Sequence, residues 1–172
     1  GGDTCGTFMP DGAMIRWLLL MILLCVPASL FARPGSVQLG IDVLLEEQRV
    51  TLSGKQIGLV TNAAAVDGQY RSTLERLHQT PGVQLIALFG PEHGVRGDAP
   101  AGVAVADGVD PHTGLPAYSL YGATREPTAA MLRGIDLILI DLPDAGARPF
   151  TYAATVVGVL RAAQRAALPV ML

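Results

Sequence analysis

Cysteine, aromatic side chains and charge are all scarce in this sequence, and each shortage removes a class of protein. Its two cysteines, Cys5 and Cys25, both fall in the first 32 residues, ahead of the segment expected to fold as a domain. That domain has no thiol for a disulfide or a cysteine-ligated zinc. Charged residues make up 16% of the chain against 50% hydrophobic ones, so the apolar share must be buried, as in a compact α/β domain and not in a disordered chain. Basic residues do not outnumber acidic ones, 12 against 15, and nothing points to nucleic acid. Several motifs are missing as well. There is no Gly-x-Ser-x-Gly elbow, no phosphate loop ending in Gly-Lys-Ser or Gly-Lys-Thr, and no HExxH. Gly90, Gly94 and Gly97 follow GxxxGxxG and not the dinucleotide fingerprint, so bound nicotinamide or flavin is unsupported. No cofactor and no metal is expected, and no internal repeat or low-complexity linker is found.

The two ends need separate treatment. Met14-Ile15-Arg16, then WLLLMILLCV, then PASLFA, read as a positive start, an apolar core and a small-residue exit, the pattern of a secretory signal peptide. The apolar core is shorter than the roughly 20 residues that a bilayer span needs, although an uncleaved anchor is the alternative. Cleavage is expected after Ala32 or Ala28, with a secreted or periplasmic product that meets the membrane only transiently. Leu24 before Cys25 is too bulky for lipid attachment to be favoured, and residues 1–13 precede the start at Met14. Without residues 1–32 the chain keeps 11 basic and 13 acidic residues. At the other end, Leu168 to Leu172 reads as the first half of a buried strand, and the chain is expected to continue into the rest of this domain and a further one.

Between these ends the pattern is strand, helix, strand. Val37 to Arg49 suits a short helix, and Gln56 to Asn62 is the first clear strand. Ser72-Thr73-Leu74-Glu75 fits a capping box opening a helix with Leu74 and Leu77 inward. Val83 to Phe89 is an apolar run too short for a globular helix, bounded by Pro81-Gly82 and Gly90-Pro91, and is expected to be a strand covered on both faces. Asp98 to Tyr121 reads as a long excursion with edge strands. Pro127 and Thr128 to Arg133 suggest a short helix closed by Gly134. Asp136 to Leu142 is another buried strand, and the apolar spacing of Tyr152, Val156, Val159, Leu160 and Ala163 predicts a helix over 150–167.

Parallel crossovers are right-handed almost without exception, so the strand ends should open on one side. That rim would gather Asn62, Glu92, His93, Asp141, Asp144 and Arg148, with Arg96 nearby. In open α/β sheets ligands bind there. A carboxylate at a strand end often just caps a helix or pairs with an arginine, and Asp144 with Arg148 could be a local ion pair. Glu92 is different, because it sits between a proline and a histidine in a glycine-framed loop where no helix needs its charge. Part-desolvated, it could hold a proton at neutral pH and donate it to a leaving group. His93 could be the acid instead, could orient Glu92, or could be an ordinary loop histidine. His78 and His112 are read as solvated or capping.

The segments IGLVTN (57–62), ALFGPEHGVRGDAPAG (87–102), D-x-x-TGLPAYSLYG (110–122) and DLPDAGARPFTY (141–152) resemble the NamZ-like exo-β-N-acetylmuramidases. The resemblance runs from about Gln38 to Leu172. It implies the N-terminal part of a Rossmann-like, three-layer catalytic domain over 33–172, followed in the family by a smaller domain with the active cleft between the two. It implies release of terminal N-acetylmuramic acid from the non-reducing end of peptidoglycan fragments, with a muropeptide or disaccharide as partner. Glu92 would be the acid or base, with His93, Asp141 and Asp144 also catalytic, and Asn62, Arg96, Arg148 and Tyr152 binding the sugar. Two departures stand out: Ala63-Ala64-Ala65 where a polar residue and a Thr-Gly pair are expected, and Pro143 where glutamine is usual. Two other classes are the alternatives: a non-catalytic periplasmic sugar-binding domain and a metal-dependent hydrolase.

Overall fold

The computed structural model describes Gly2 and residues 37–172. The expected signal peptide, its cleavage positions and both cysteines lie outside the described residues. Gln38–Leu172 forms one compact unit.

Along it run α1 (Gly40–Glu47), a 3-10 turn (Arg49–Thr51), β1 (Gln56–Thr61), α2 (Thr73–Gln79), β2 (Gln84–Gly90), β3 (Gly108–Val109), β4 (Pro116–Ser119), β5 (Leu137–Asp141), α3 (Tyr152–Ala166) and β6 (Val170–Met171). The strands form one sheet in the order β3-β4-β2-β1-β5-β6. Every neighbouring pair is parallel except β3 with β4. Among the described residues no helix is long and apolar enough to cross a membrane.

Both faces of the sheet are covered, which explains why its strands are apolar throughout and not alternating. On one face Ile57, Leu59, Leu85, Leu88, Leu137 and Leu139 pack with Ile41 and Leu44 of α1 and Leu74 and Leu77 of α2. On the other, Val60, Ala87, Phe89, Ile138 and Ile140 pack with Val159, Ala162 and Ala163 of α3. Strict alternation breaks once, in β2. The register passes from Ile57–Leu85 to Gly58–Ala87, so Ile86 is an extra residue and both it and Ala87 face α3. Gly58 leaves room there for two side chains, since a Cβ would lie 2.7 Å from Ile135 Cδ1 and 3.0 Å from the Phe89 ring, and Ile135 would have to shift.

Two expectations need correction. Residues 128–134 make turns, not a helix: Leu132 N–H donates to Thr128 and Ile135 N–H to Leu132, and the chain then turns through Gly134 at φ +79°. After Leu132 the bonds span three residues, Arg133 N–H to Ala130 and Ile135 N–H to Leu132, so no ladder of four-residue bonds develops. The excursion also contributes an interior strand. β4 pairs with β2 from Leu88–Ala117 to Gly90–Ser119, and only β3 lies at the edge.

From β1 the chain goes to β2 on one side, and from β5 to β6 on the other. The strand order therefore reverses between β1 and β5, where crevices open at the strands' carboxyl ends.

Candidate active site

The strand ends open where expected, and one cleft of about 570 Å³ lies over them, lined among others by Asn62, His93, Asp144 and Tyr152. Asn62 is buried and ties two loops together. Its Nδ2 donates to the Pro143 carbonyl at 3.4 Å and its Oδ1 accepts from Ala64 N–H at 3.0 Å. This contact is made by the Pro143 backbone carbonyl, so it does not depend on the side chain at that position. Ala63, Ala64, Pro143 and Ala145 give this part of the cleft an apolar lining.

The turn after β2 is tightly held. A Cβ on Gly90 would stand 2.7 Å from Val95 N, and one on Gly97 2.8 Å from the Ala63 Cβ. His93 adopts φ +73°, uncommon for a side chain other than glycine. Two contacts to Ala99 support it: Ala99 N–H donates to the His93 carbonyl at 3.2 Å, and His93 Nδ1 lies 2.8 Å from the Ala99 carbonyl. A carbonyl only accepts, so Nδ1 carries a proton and Nε2 is the ring nitrogen left for other partners.

Glu92 is half-buried, and both its oxygens are engaged. Oε1 accepts from Gly102 N–H at 2.9 Å and Oε2 from Thr151 Oγ1 at 3.0 Å. These bonds, the Gly102 amide first and the Thr151 hydroxyl next, hold its carboxyl below the ordinary value of 4.5 against a smaller effect of burial. The expected upward shift by desolvation is corrected in direction: the two hydrogen bonds favour the carboxylate form instead. Thr151 is the residue before α3, yet its hydroxyl does not cap that helix. It serves Glu92 instead, at a helix N-terminus where the macrodipole also favours negative charge.

The other rim residues separate. Asp144 is exposed and lines the cleft, with Oδ1 accepting from Gly146 N–H at 2.7 Å; its bond is to that amide and not to Arg148. Arg148 is exposed on the same loop. Tyr152 lines the cleft, its ring edge-on to Phe150. Asp141 belongs elsewhere. It accepts from Thr73 Oγ1 at the start of α2 and lines a different cavity, of about 320 Å³, with α1 and Met171. Strand parity is the reason: Asp141 shares its face of β5 with Leu137 and Leu139, the α1 and α2 side.

Arg96 is not a free sugar ligand either. Its Nε and Nη2 pair with both oxygens of buried Asp110, at 2.7 and 3.0 Å, and its Nη1 reaches Glu75 at 2.9 Å. Those bonds to Asp110 raise the Arg96 pKa and hold the Asp110 carboxyl far below the usual carboxylate range. Sequence reasoning missed Thr151, Gly102, Asp110 and Glu75 as partners. Thr151 fell inside the helix predicted over 150–167, so the local pattern did not mark it as a partner of Glu92.

Fold and rim together define a class: an α/β domain with a mostly parallel sheet and a cleft at its strand ends lined by a histidine, His93, and a carboxylate, Asp144. A family model described as exo-beta-N-acetylmuramidase NamZ, N-terminal, matches residues 57–172, and the chain belongs to that family. It is 46% identical over 140 residues to the peptidoglycan beta-N-acetylmuramidase NamZ of Bacillus subtilis (strain 168), a match covering 81% of this chain and 34% of that protein. Two crystal structures of DUF1343 family proteins from Bacteroides fragilis NCTC 9343 are similar. One has a TM-score of 0.69 and 46% identity, the other 0.62 and 25%, covering 77% and 78% of this chain and 33% of each of theirs. The chain thus spans about a third of the length of the relatives it matches.

Proposed function

We propose that this chain provides the N-terminal, Rossmann-like part of a glycoside hydrolase that releases N-acetylmuramic acid from the non-reducing end of peptidoglycan fragments. The observation that carries the reading is the family match over residues 57–172, within which the turn after β2 carries Glu92 and sets the adjacent His93 into the lining of the 570 Å³ cleft. The strand order, reversing between β1 and β5, supports the Rossmann-like description. The leader-like stretch from Met14 to Ala32 supports a secreted or periplasmic location.

Glycosidic hydrolysis needs one proton given to the leaving oxygen and one taken from water, unless a carboxylate or the substrate's acetamide attacks first. Glu92, ionised, is equipped to take the proton or to stabilise positive charge at the anomeric carbon. The proton for the leaving oxygen must then come from a group that carries one: His93 through Nε2–H in its doubly protonated form, or Asp144 as the acid, both of which line the cleft. Asp141, turned to the other face, is left out of the chemistry. The test is turnover of a chromogenic β-N-acetylmuramide by the full-length protein. Release of the chromophore with free N-acetylmuramic acid is expected; binding without release would defeat the proposal.

One observation favours the second reading, a muropeptide-binding domain without turnover. Both Glu92 oxygens are already occupied, as they would be in a purely structural carboxylate. The same assay separates the two. Chelator treatment is expected to leave activity unchanged, and its loss would point to a metal-dependent hydrolase.

A further inference from the structure

Two stretches of the family pattern, the end of the turn after β2 and the D-x-x-TG stretch of the excursion, have no chemical role in the proposed hydrolysis. The Arg96 contacts join them. Arg96 lies four residues after Glu92, and its guanidinium is gripped from two other segments at once. Asp110 is only 3% exposed and is itself fixed by Thr113, whose N–H and hydroxyl donate to Oδ2 at 2.9 and 2.7 Å. Glu75 sits in the first turn of α2, where the Ser72 hydroxyl caps its N–H. The turn carrying Glu92 and His93 is therefore anchored to the excursion and to the helix packed on β1.

We propose that Arg96 is a positioning residue: by bridging Asp110 and Glu75 it sets the Glu92–His93 turn in register with the cleft. A flat, forked guanidinium is needed for this, since two of its bonds go in parallel to one carboxylate. Lysine keeps the charge but has no fork. The inference rests on the proposed hydrolase activity for its kinetic consequence and on geometry alone for its structural one.

The test uses Arg96→Lys in the full-length protein, with kcat and KM on a chromogenic β-N-acetylmuramide and amide hydrogen exchange across 91–102. Small misplacement of reacting groups costs rate more than binding, so kcat is expected to fall about 10-fold or more with KM little changed. The loop amides of Gly94, Ala99 and Gly102 should lose protection while β1 and β2 keep theirs. Asp42→Asn is the control. It weakens the Arg76 pair between α1 and α2 and should lower Tm with kcat unchanged. If Arg96→Lys does not fold, Glu75→Gln, which weakens the less buried leg of the bridge, should move kcat and loop protection in the same direction. A lowered Tm with kcat and loop protection intact would overturn the inference. If the wild-type protein turns nothing over, the proposed function fails, and the exchange pattern alone decides whether Arg96 orders the turn.

Discussion

Glu92 accepts a hydrogen bond at each oxygen, and both bonds favour its carboxylate form. Glu92→Gln keeps the shape and the Thr151 contact; it is expected to remain folded, by circular dichroism, and to lose about 10²-fold or more in kcat. Its lowered pKa fixes the sign of a pH effect. If catalysis needs the carboxylate, kcat/KM of the free protein holds at neutral pH and falls only as pH drops below 4.5, the ordinary glutamate value. If catalysis needed the acid form, kcat/KM would already decline as pH rose through that same acid region. Asp141→Asn should leave turnover nearly intact, because Asp141 lines the other cavity. At this scale the sequence pointed to Glu92 and His93 because a glycine-framed Pro-Glu-His has no helix to serve; of the two, His93 lines the cleft and Glu92 is bonded to Gly102 and Thr151. The sequence could not tell on which face of β5 Asp141 would lie, or that Arg96 would be consumed by Asp110, since both depend on partners far away in the chain.

Among the elements, the turn after β2 carries the tightest steric demands. Gly90→Ala would press a methyl group to 2.7 Å from Val95 N and is expected to cost about 1–3 kcal/mol in urea unfolding. Arg96→Ala would leave Asp110 buried without its partner, at a cost of about 3–5 kcal/mol. Linkage gives the pH dependence of that pair. Asp110 has a folded pKa well below its ordinary 3.8, so its stabilising contribution is complete above that value and disappears as pH falls through the folded pKa. Tm should therefore drop in strong acid, and Asp110→Asn should flatten the drop. Strands and long helices were legible because burial on both faces leaves short, unbroken apolar runs between Gly and Pro. The extra residue at Ile86, the turns at 128–134 and the pairing of β4 were not, because each is fixed by contacts across the sheet and not by local pattern.

For the molecule as a whole, helices on both faces and a reversal of strand order between β1 and β5 place one cleft where the loops after β1, β2 and β5 meet. The family match over residues 57–172 and the short span of the chain relative to its relatives direct the decisive work to the full-length protein. That measurement is the rate of N-acetylmuramic acid release from a chromogenic β-N-acetylmuramide by wild type, Glu92→Gln and Asp141→Asn side by side. Loss of turnover in Glu92→Gln, with Asp141→Asn close to wild type, is the expected result. Full turnover in Glu92→Gln, or its loss only in Asp141→Asn, would contradict the assignment of the cleft beside Glu92 as the active site.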